Sequence, residues 1–369
     1  MARKRKILFV TGTRAEYGLM RRTLSAIRES SALALHVMAI GQHLDRSRGY
    51  TVDEIRKDGF EPILGRAPHK SISIRTGEMV IDVTRAIQQT RPEIVLVVGD
   101  RIEAFAGASA AFVAGVVVAH VHGGDRAQGQ VDDSLRHATT KLAHLHLVAT
   151  RGAQQRVIKL GEDMFRIHRV GAPGLDGINE DARQGKSPAS PFVLFIRHPF
   201  VSDDKLESCQ TTDSINAILR GGARKIVALW PNNDPGCDGI ARALERIARH
   251  RSKEVEIHRH MNRSDFLAHL RDCICLVGNS SAGIIEAGSF GTPVIDIGLR
   301  QQGREHGRNV THVADDPLEI EQAIRTIIDH PQRYRMKNPW GDGNASSRIV
   351  QVLSNIEIDF QIKQKLISY

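Results

Sequence analysis

The stretch Val277-Gly-Asn-Ser-Ser-Ala-Gly-Ile-Ile-Glu286, with Gly291-Thr-Pro-Val-Ile-Asp-Ile-Gly-Leu-Arg300 behind it, carries residue types that can hold an anion and a diol. It reads as an apolar strand ending at Val277, a Gly-Asn-Ser-Ser turn, a short helix opened by small residues, and a second apolar strand closed by an arginine. Small residues let the backbone approach a ligand, and the unsatisfied N–H groups of a helix start favour negative charge. Ser280 and Ser281 add hydroxyl donors, and Glu286, one turn on, can accept from a sugar diol. Arg300 can pair with phosphate through its planar, bidentate fork. The competing structural reading is that Ser281 caps a helix and Glu286 lies on its solvated face. The combination of turn, diol acceptor and trailing arginine favours a nucleotide-sugar diphosphate site.

Further polar residues follow the predicted ends of other apolar runs. Arg14 and Glu16 follow the first strand, His43 the second, and Asp100-Arg101 the third. His120, His122 and Asp125 follow the fourth, with Asp132, Asp133, Arg136 and His137 close behind. His198 and Pro199 open a second series, and Pro231-Asn-Asn-Asp234 lies later in it. Ligands of parallel α/β sheets collect outside the carboxyl ends of the strands, so these positions are candidates for chemistry. As structural alternatives, Asp100 and Asp133 suit helix N-caps, and isolated histidines suit satisfied buried or surface roles. His120, His122 and Asp125 lack the further spaced ligands of a metal site. Gly12-Thr-Arg-Ala-Glu-Tyr-Gly18 is neither a P-loop nor a dinucleotide fingerprint, which disfavours a kinase and a dehydrogenase.

The elements that must position these residues are short apolar runs bounded by glycine and separated by helical segments. The first series is Ile7–Val10, Leu35–Ile40, Ile94–Val98, Val116–His120, Leu145–Thr150 and Ile167–Gly171. The second is Phe192–Ile196, Lys225–Trp230, Val255–His258, Cys273–Val277 and Pro293–Ile297. This alternation predicts α/β architecture with two doubly wound, Rossmann-like halves facing a cleft. The polar, proline-containing segment Asn179–Pro191 is the best linker candidate. The predicted domains are therefore 1–178, on the sugar and catalytic side, and 179–369, on the nucleotide side. The last helix is expected to pack back on the first domain.

Composition narrows the function classes. A chain of 369 residues, 41% hydrophobic and 25% charged, reads as a two-domain soluble protein. The weakly apolar stretch Phe105–Val121 is interrupted by His120 and reads as a buried helix followed by a strand, not a membrane span. The basic start runs straight into a strand without a signal-peptide pattern, so the expected location is cytoplasmic. Four irregularly spaced cysteines form no disulfide framework; Cys273 and Cys275 read as small buried residues on one face of a strand. The net charge of +9 is spread along the chain without a nucleic-acid-binding motif, which suits a cleft that attracts a diphosphate.

The chain resembles the UDP-N-acetylglucosamine 2-epimerases, and in particular the hydrolysing branch that supplies precursors of sialic and legionaminic acids. The resemblance is carried by Thr11-Gly-Thr-Arg-Ala-Glu-Tyr-Gly18, Val98-Gly-Asp-Arg101, His120-Val-His-Gly-Gly-Asp125 and Val131-Asp-Asp-Ser-Leu-Arg-His137. It continues through Thr140–His144, Gly278–Ser281, Phe290–Pro293, Arg300–Glu305 and Gly341–Ala345, spanning nearly the whole chain in one order. The resemblance implies a glycosyltransferase-B-like fold with no metal or redox cofactor, a UDP-sugar ligand, and a homo-oligomer, dimer or tetramer. Asp100 and Asp132 match acidic catalytic positions of the family, and Arg101 and His198 match residues near the diphosphate. Arg14, Asn232, Ser280, Ser281, Glu286 and Arg300 match nucleotide-site positions, with Glu286 on the ribose; His43 joins them as a substrate-binding candidate. His122 stands where the reversible branch often has Glu, and Asp125 where the hydrolysing branch often has Glu, so either can serve as the base at C2. A non-hydrolysing epimerase and a glycosyltransferase of the same fold are the alternatives.

Overall fold

The computed structural model describes residues 3–46, 49–126, 131–232 and 234–366. The chain divides into two compact units. The first runs to Asp176 and takes back the chain from Gly341 onward; the second is Gly177–Trp340.

The first unit holds a parallel sheet of strands β1 (Arg5–Thr11), β2 (Leu33–Ala39), β3 (Ile63–Leu64), β4 (Ile94–Val98), β5 (Val117–Val121), β6 (Leu145–Val148) and β7 (Ile167–Arg169). Their order is β3-β2-β1-β4-β5-β6-β7. Side chains alternate across a strand, and both faces of β1 are apolar. Ile7 and Phe9 enter one core with Leu24, Leu96 and Leu147, while Leu8 and Val10 enter another with Val83, Val95 and Ala108. Burial on both faces explains why β1, β4 and β5 read as continuous apolar runs.

The second unit repeats the plan with β8 (Val193–Ile196), β9 (Ile226–Leu229), β10 (Val255–His258), β11 (Leu276–Gly278), β12 (Val294–Ile297) and β13 (Val310–Val313), ordered β10-β9-β8-β11-β12-β13. All pairings are parallel, and in each sheet the order of strand addition reverses once, between β1 and β4 and between β8 and β11. Those two points leave a crevice at the carboxyl edge. Both units are doubly wound α/β folds.

Local chemistry sets the helix starts near these points. Thr13 and Glu16 form a capping box: the Thr13 hydroxyl accepts from the Glu16 amide, and Glu16 Oε2 accepts from the Thr13 amide at 3.2 Å. The helix Ala345–Asn355 packs on Arg14–Glu29 within the first unit. Asp176 accepts from the Ala345 and Ser346 amides at 2.9 and 2.5 Å, which satisfies donors at that helix start.

Several expectations change. Cys273 and Cys275 are fully buried, but the strand begins only at Leu276. The first half of the expected linker Asn179–Pro191 lies in a helix, Ile178–Gln184. Ile178 and Ala182, four residues apart, bury one face of it, and Gly185 lies so close to Ser264 that a Cβ would sit 1.9 Å from its carbonyl oxygen. Strands β3 and β13 escape a reading by apolar runs, because one has two residues and the other exposes Thr311 and His312.

Candidate active site

At the carboxyl edge of the first sheet, Gly99 and Asp100 follow β4, and His122 to Asp125 follow β5. Asp100 does not cap the next helix; Arg101 occupies the N-cap of Ile102–Val113 without a side-chain cap bond. The Asp100 carboxylate instead accepts from Arg136 Nη2. Arg136 sits one turn inside the helix Val131–Leu142, is 4% exposed, and also donates through Nη1 to the His122 carbonyl at 2.9 Å. One guanidinium therefore joins the loops after β4 and β5.

His122 adopts a left-handed backbone with φ 64°. That conformation is uncommon outside glycine. It directs the ring to Asp125, whose Oδ2 accepts from Nδ1 at 2.9 Å, and both side chains are buried. Bonding at Nδ1 leaves Nε2 as the basic nitrogen of the ring. His120 has another task. Its Nε2 donates to the Gly99 carbonyl at 2.7 Å and its Nδ1 accepts from Thr140 at 3.2 Å. Burial pushes its pKa down to about 3, so it stays neutral and ties the loop after β4 to the helix Val131–Leu142.

The remaining candidates of this unit lie around that cluster. Asp132 is partly exposed in the first turn of Val131–Leu142. Arg101 Nε lies 3.9 Å from Glu103 Oε2, and the exposed Arg14 pairs with Glu54 at 2.8 Å. His43 is fully buried, with Nε2 on Thr11 at 3.1 Å and Nδ1 on Thr51 at 2.9 Å. Desolvation lowers its pKa to about 4.

In the second unit, Asn279 organises the carboxyl edge. Its Oδ1 accepts from the His198 amide at 2.7 Å and its Nδ2 donates to the His198 carbonyl at 2.8 Å, tying the end of β8 to the turn after β11. The Asn279 carbonyl accepts from Arg300 Nη1 at 3.2 Å and Gln301 Nε2 at 2.9 Å. Gly278 is required where the two strand ends meet: φ is 140°, and a Cβ would lie 1.9 Å from the Ile196 carbonyl oxygen. His198 Nδ1 accepts from the Asn232 amide at 3.1 Å, so its proton resides on Nε2. Desolvation, followed by the Arg300 charge, holds its pKa down at about 3.

Asn232 donates to Asp234, which also lies 3.9 Å from Arg300 Nη2; Asn233 is outside the described residues. Ser280, not Ser281, caps the five-residue helix Ser281–Ile285, and Ser281 opens it, half-buried. Glu286 is not on a solvated face. It is 8% exposed at the junction with a second short helix, and its Oε1 accepts from Arg263 at 2.8 Å.

Sequence reasoning left out Glu103, Arg263, Asn279 and Gln301 as site residues. Glu103 looks like an ordinary acid in a first helical turn, and Arg263 is distant in sequence from the carboxylate it holds. The glycines are the available signal for Glu103. A Cβ on Gly12 or Gly41 would lie 2.0 or 2.4 Å from atoms of its side chain.

The model of a family described as UDP-N-acetylglucosamine 2-epimerase matches residues 25–354. The chain is 37% identical to the Legionella pneumophila UDP-N,N'-diacetylbacillosamine 2-epimerase (hydrolyzing), over 99% of this chain and 100% of that one. It is 30% identical to a UDP-N-acetylglucosamine 2-epimerase of Neisseria meningitidis serogroup B, over 96% of each. Among solved structures, the Neisseria meningitidis UDP-GlcNAc 2-epimerase bound to UDP-GlcNAc has a TM-score of 0.82 at 19% identity, covering 94% of this chain and 99% of that one. That structure shares the fold of the two sheets, and the matches in sequence run over nearly the whole chain. The chain belongs to the UDP-N-acetylglucosamine 2-epimerase family.

Proposed function

We propose that the chain is a hydrolysing UDP-sugar 2-epimerase. Its donor is UDP-2,4-diacetamido-2,4,6-trideoxyglucose or its close relative UDP-GlcNAc, and its products are UDP and the manno-configured free sugar. The observation that carries the reading is the joined cluster Asp100–Arg136–His122–Asp125, which places two acids and an imidazole on adjacent strand ends. Relatives at 37% and 26% identity named as hydrolysing diacetylbacillosamine epimerases support the diacetamido donor.

In the proposed reaction the His122–Asp125 pair removes the proton from C2. The C1–O bond breaks, UDP departs, and a 1,2-unsaturated sugar remains. Water then adds its oxygen to C1, and a proton is delivered to C2 from the opposite face, which inverts that centre. Asp100 and Asp132 are the acids available for proton delivery and for stabilising positive charge at C1. Arg101, Arg300 and the Nε2–H of His198 are assigned to the departing diphosphate, where developing negative charge is met by fixed donors. Glu286, held by Arg263, is assigned to the ribose hydroxyls, with Asn232, Ser280 and Ser281 as supporting contacts; His43, fully buried with both ring nitrogens bonded to Thr11 and Thr51, supports the loop after β2 instead.

Incubation of each donor in deuterated water tests the reading. UDP release with deuterium at C2 of the free sugar is expected. Accumulation of intact UDP-sugar inverted at C2 would move the enzyme to the non-hydrolysing branch, and transfer to an acceptor without C2 exchange would make it a glycosyltransferase.

A further inference from the structure

Two buried carboxyls stand in the first turns of the helices that follow β1 and β4, and the proposed chemistry uses neither. Glu16 is 7% exposed and Glu103 is 2% exposed. Both press on Gly12. Glu16 Oε2 accepts from the Gly12 amide at 3.0 Å, and Glu103 Cγ lies 2.0 Å from where a Gly12 Cβ would be. Among the described residues, Glu16 Oε1 and Glu103 Oε2 have no hydrogen-bond donor.

Among the described residues, the charges around them do not balance two carboxylates. Arg101 Nε, 3.9 Å from Glu103 Oε2, is the cation that faces the pair. Asp100 adds negative charge and is itself held by Arg136. His43, from the turn Gly41–Leu44, is neutral and bonded to Thr11 and Thr51, and Arg14 turns to Glu54. Adjacent buried carboxylates cannot both ionise cheaply, and such a pair titrates as a unit.

We propose that Glu16 and Glu103 share one proton and, in that singly charged state, fix the Gly12–Arg14 turn at the switch point of the first sheet as positioning residues for the epimerase reaction. The unpartnered oxygens are where the shared proton belongs. Burial, followed by the Glu103 charge, raises the Glu16 pKa to about 8. Above that pH a second negative charge appears beside Gly12 and the turn loosens.

The kinetic part of this inference rests on the epimerase reading; the proton does not. Infrared difference spectra of the ligand-free protein should show the carbonyl stretch of a protonated carboxyl at neutral pH. It should fade as pH rises through about 8 and be absent from Glu16→Gln and Glu103→Gln. In pH–rate profiles, Glu16→Gln should keep turnover within about threefold of the parent and lose its alkaline limb, whereas Glu16→Ala should lose about tenfold or more. If Glu16→Gln fails to fold, Glu103→Gln takes its place. Absence of the protonated band from the parent protein at neutral pH, or an unchanged alkaline limb in the Gln variant, overturns the proposal. If no UDP-sugar is turned over, the infrared result still decides the shared proton, and the same profile measured on UDP binding decides the positioning.

Discussion

Lowering the pH from 7 to 5 should remove much of the stability of the first unit. His43, His120, His144 and His146 are all between 0 and 4% exposed. Desolvation holds their pKa values down at about 4, 3, 4 and 4. An unfolded histidine titrates near 6.5, so below that pH the unfolded state binds more protons and folding stability falls as pH falls. Each buried histidine then costs roughly 1.8 kcal/mol between pH 7 and 5, or about 7 kcal/mol for the four. Glu16 works in the opposite sense. With a folded pKa of about 8, it binds its proton in the folded state and not in the unfolded state across this window, which returns roughly 2.5 kcal/mol.

The net loss of about 4–5 kcal/mol is a large share of an ordinary domain's stability of roughly 5–15 kcal/mol. Both tryptophans, Trp230 and Trp340, belong to the second unit, so tryptophan fluorescence does not report on the first. Hydrogen exchange of peptides covering β1, β4 and β5, followed at pH 7, 6 and 5 after correction for intrinsic rates, isolates the relevant opening. Opening free energies that agree within about 1 kcal/mol across that range would refute the buried-neutral assignment.

Three further outcomes are expected. Asp100→Asn should abolish turnover while UDP affinity, measured by calorimetry, stays within about threefold, because Asn keeps the shape but cannot exchange a proton. Arg136→Met should destabilise the first unit by about 2 kcal/mol in the same exchange experiment and lower kcat; it removes charged hydrogen bonds to Asp100 and the His122 carbonyl and leaves the half-buried Asp100 carboxylate without its guanidinium. Glu286→Ala should weaken UDP binding by about tenfold without changing the C2 exchange rate at saturation, since it takes a carboxylate from Arg263 and from the proposed ribose contact.

Much of the architecture was legible in the chain. Ile94–Val98 and Val255–His258 were readable to the residue, because a strand buried on both faces or bounded by polar turns leaves a contiguous signature. Positions after strand ends were legible for the same reason: the fold gathers them at the carboxyl edge whatever their partners. Edge strands such as β13 were not, since one exposed face dilutes the apolar pattern with Thr311 and His312. The linker candidate shows a limit of the same kind, because polarity and proline describe a surface. They do not describe whether Ile178 and Ala182 find a helix to pack on.

By itself, then, the order of residues determined the alternation of strand and helix, the loops that bear polar groups and the family motifs in those loops. Those properties are local or repeat at short range. Only the tertiary structure decided that Asp100 pairs with Arg136 instead of capping its helix, that His122 turns to Asp125 while His120 braces a loop, and that Glu286 is held by Arg263. Each of those choices depends on which side chain arrives from a distant element with complementary charge. It also depends on how completely water is excluded there, which sets whether a buried acid or imidazole keeps its proton.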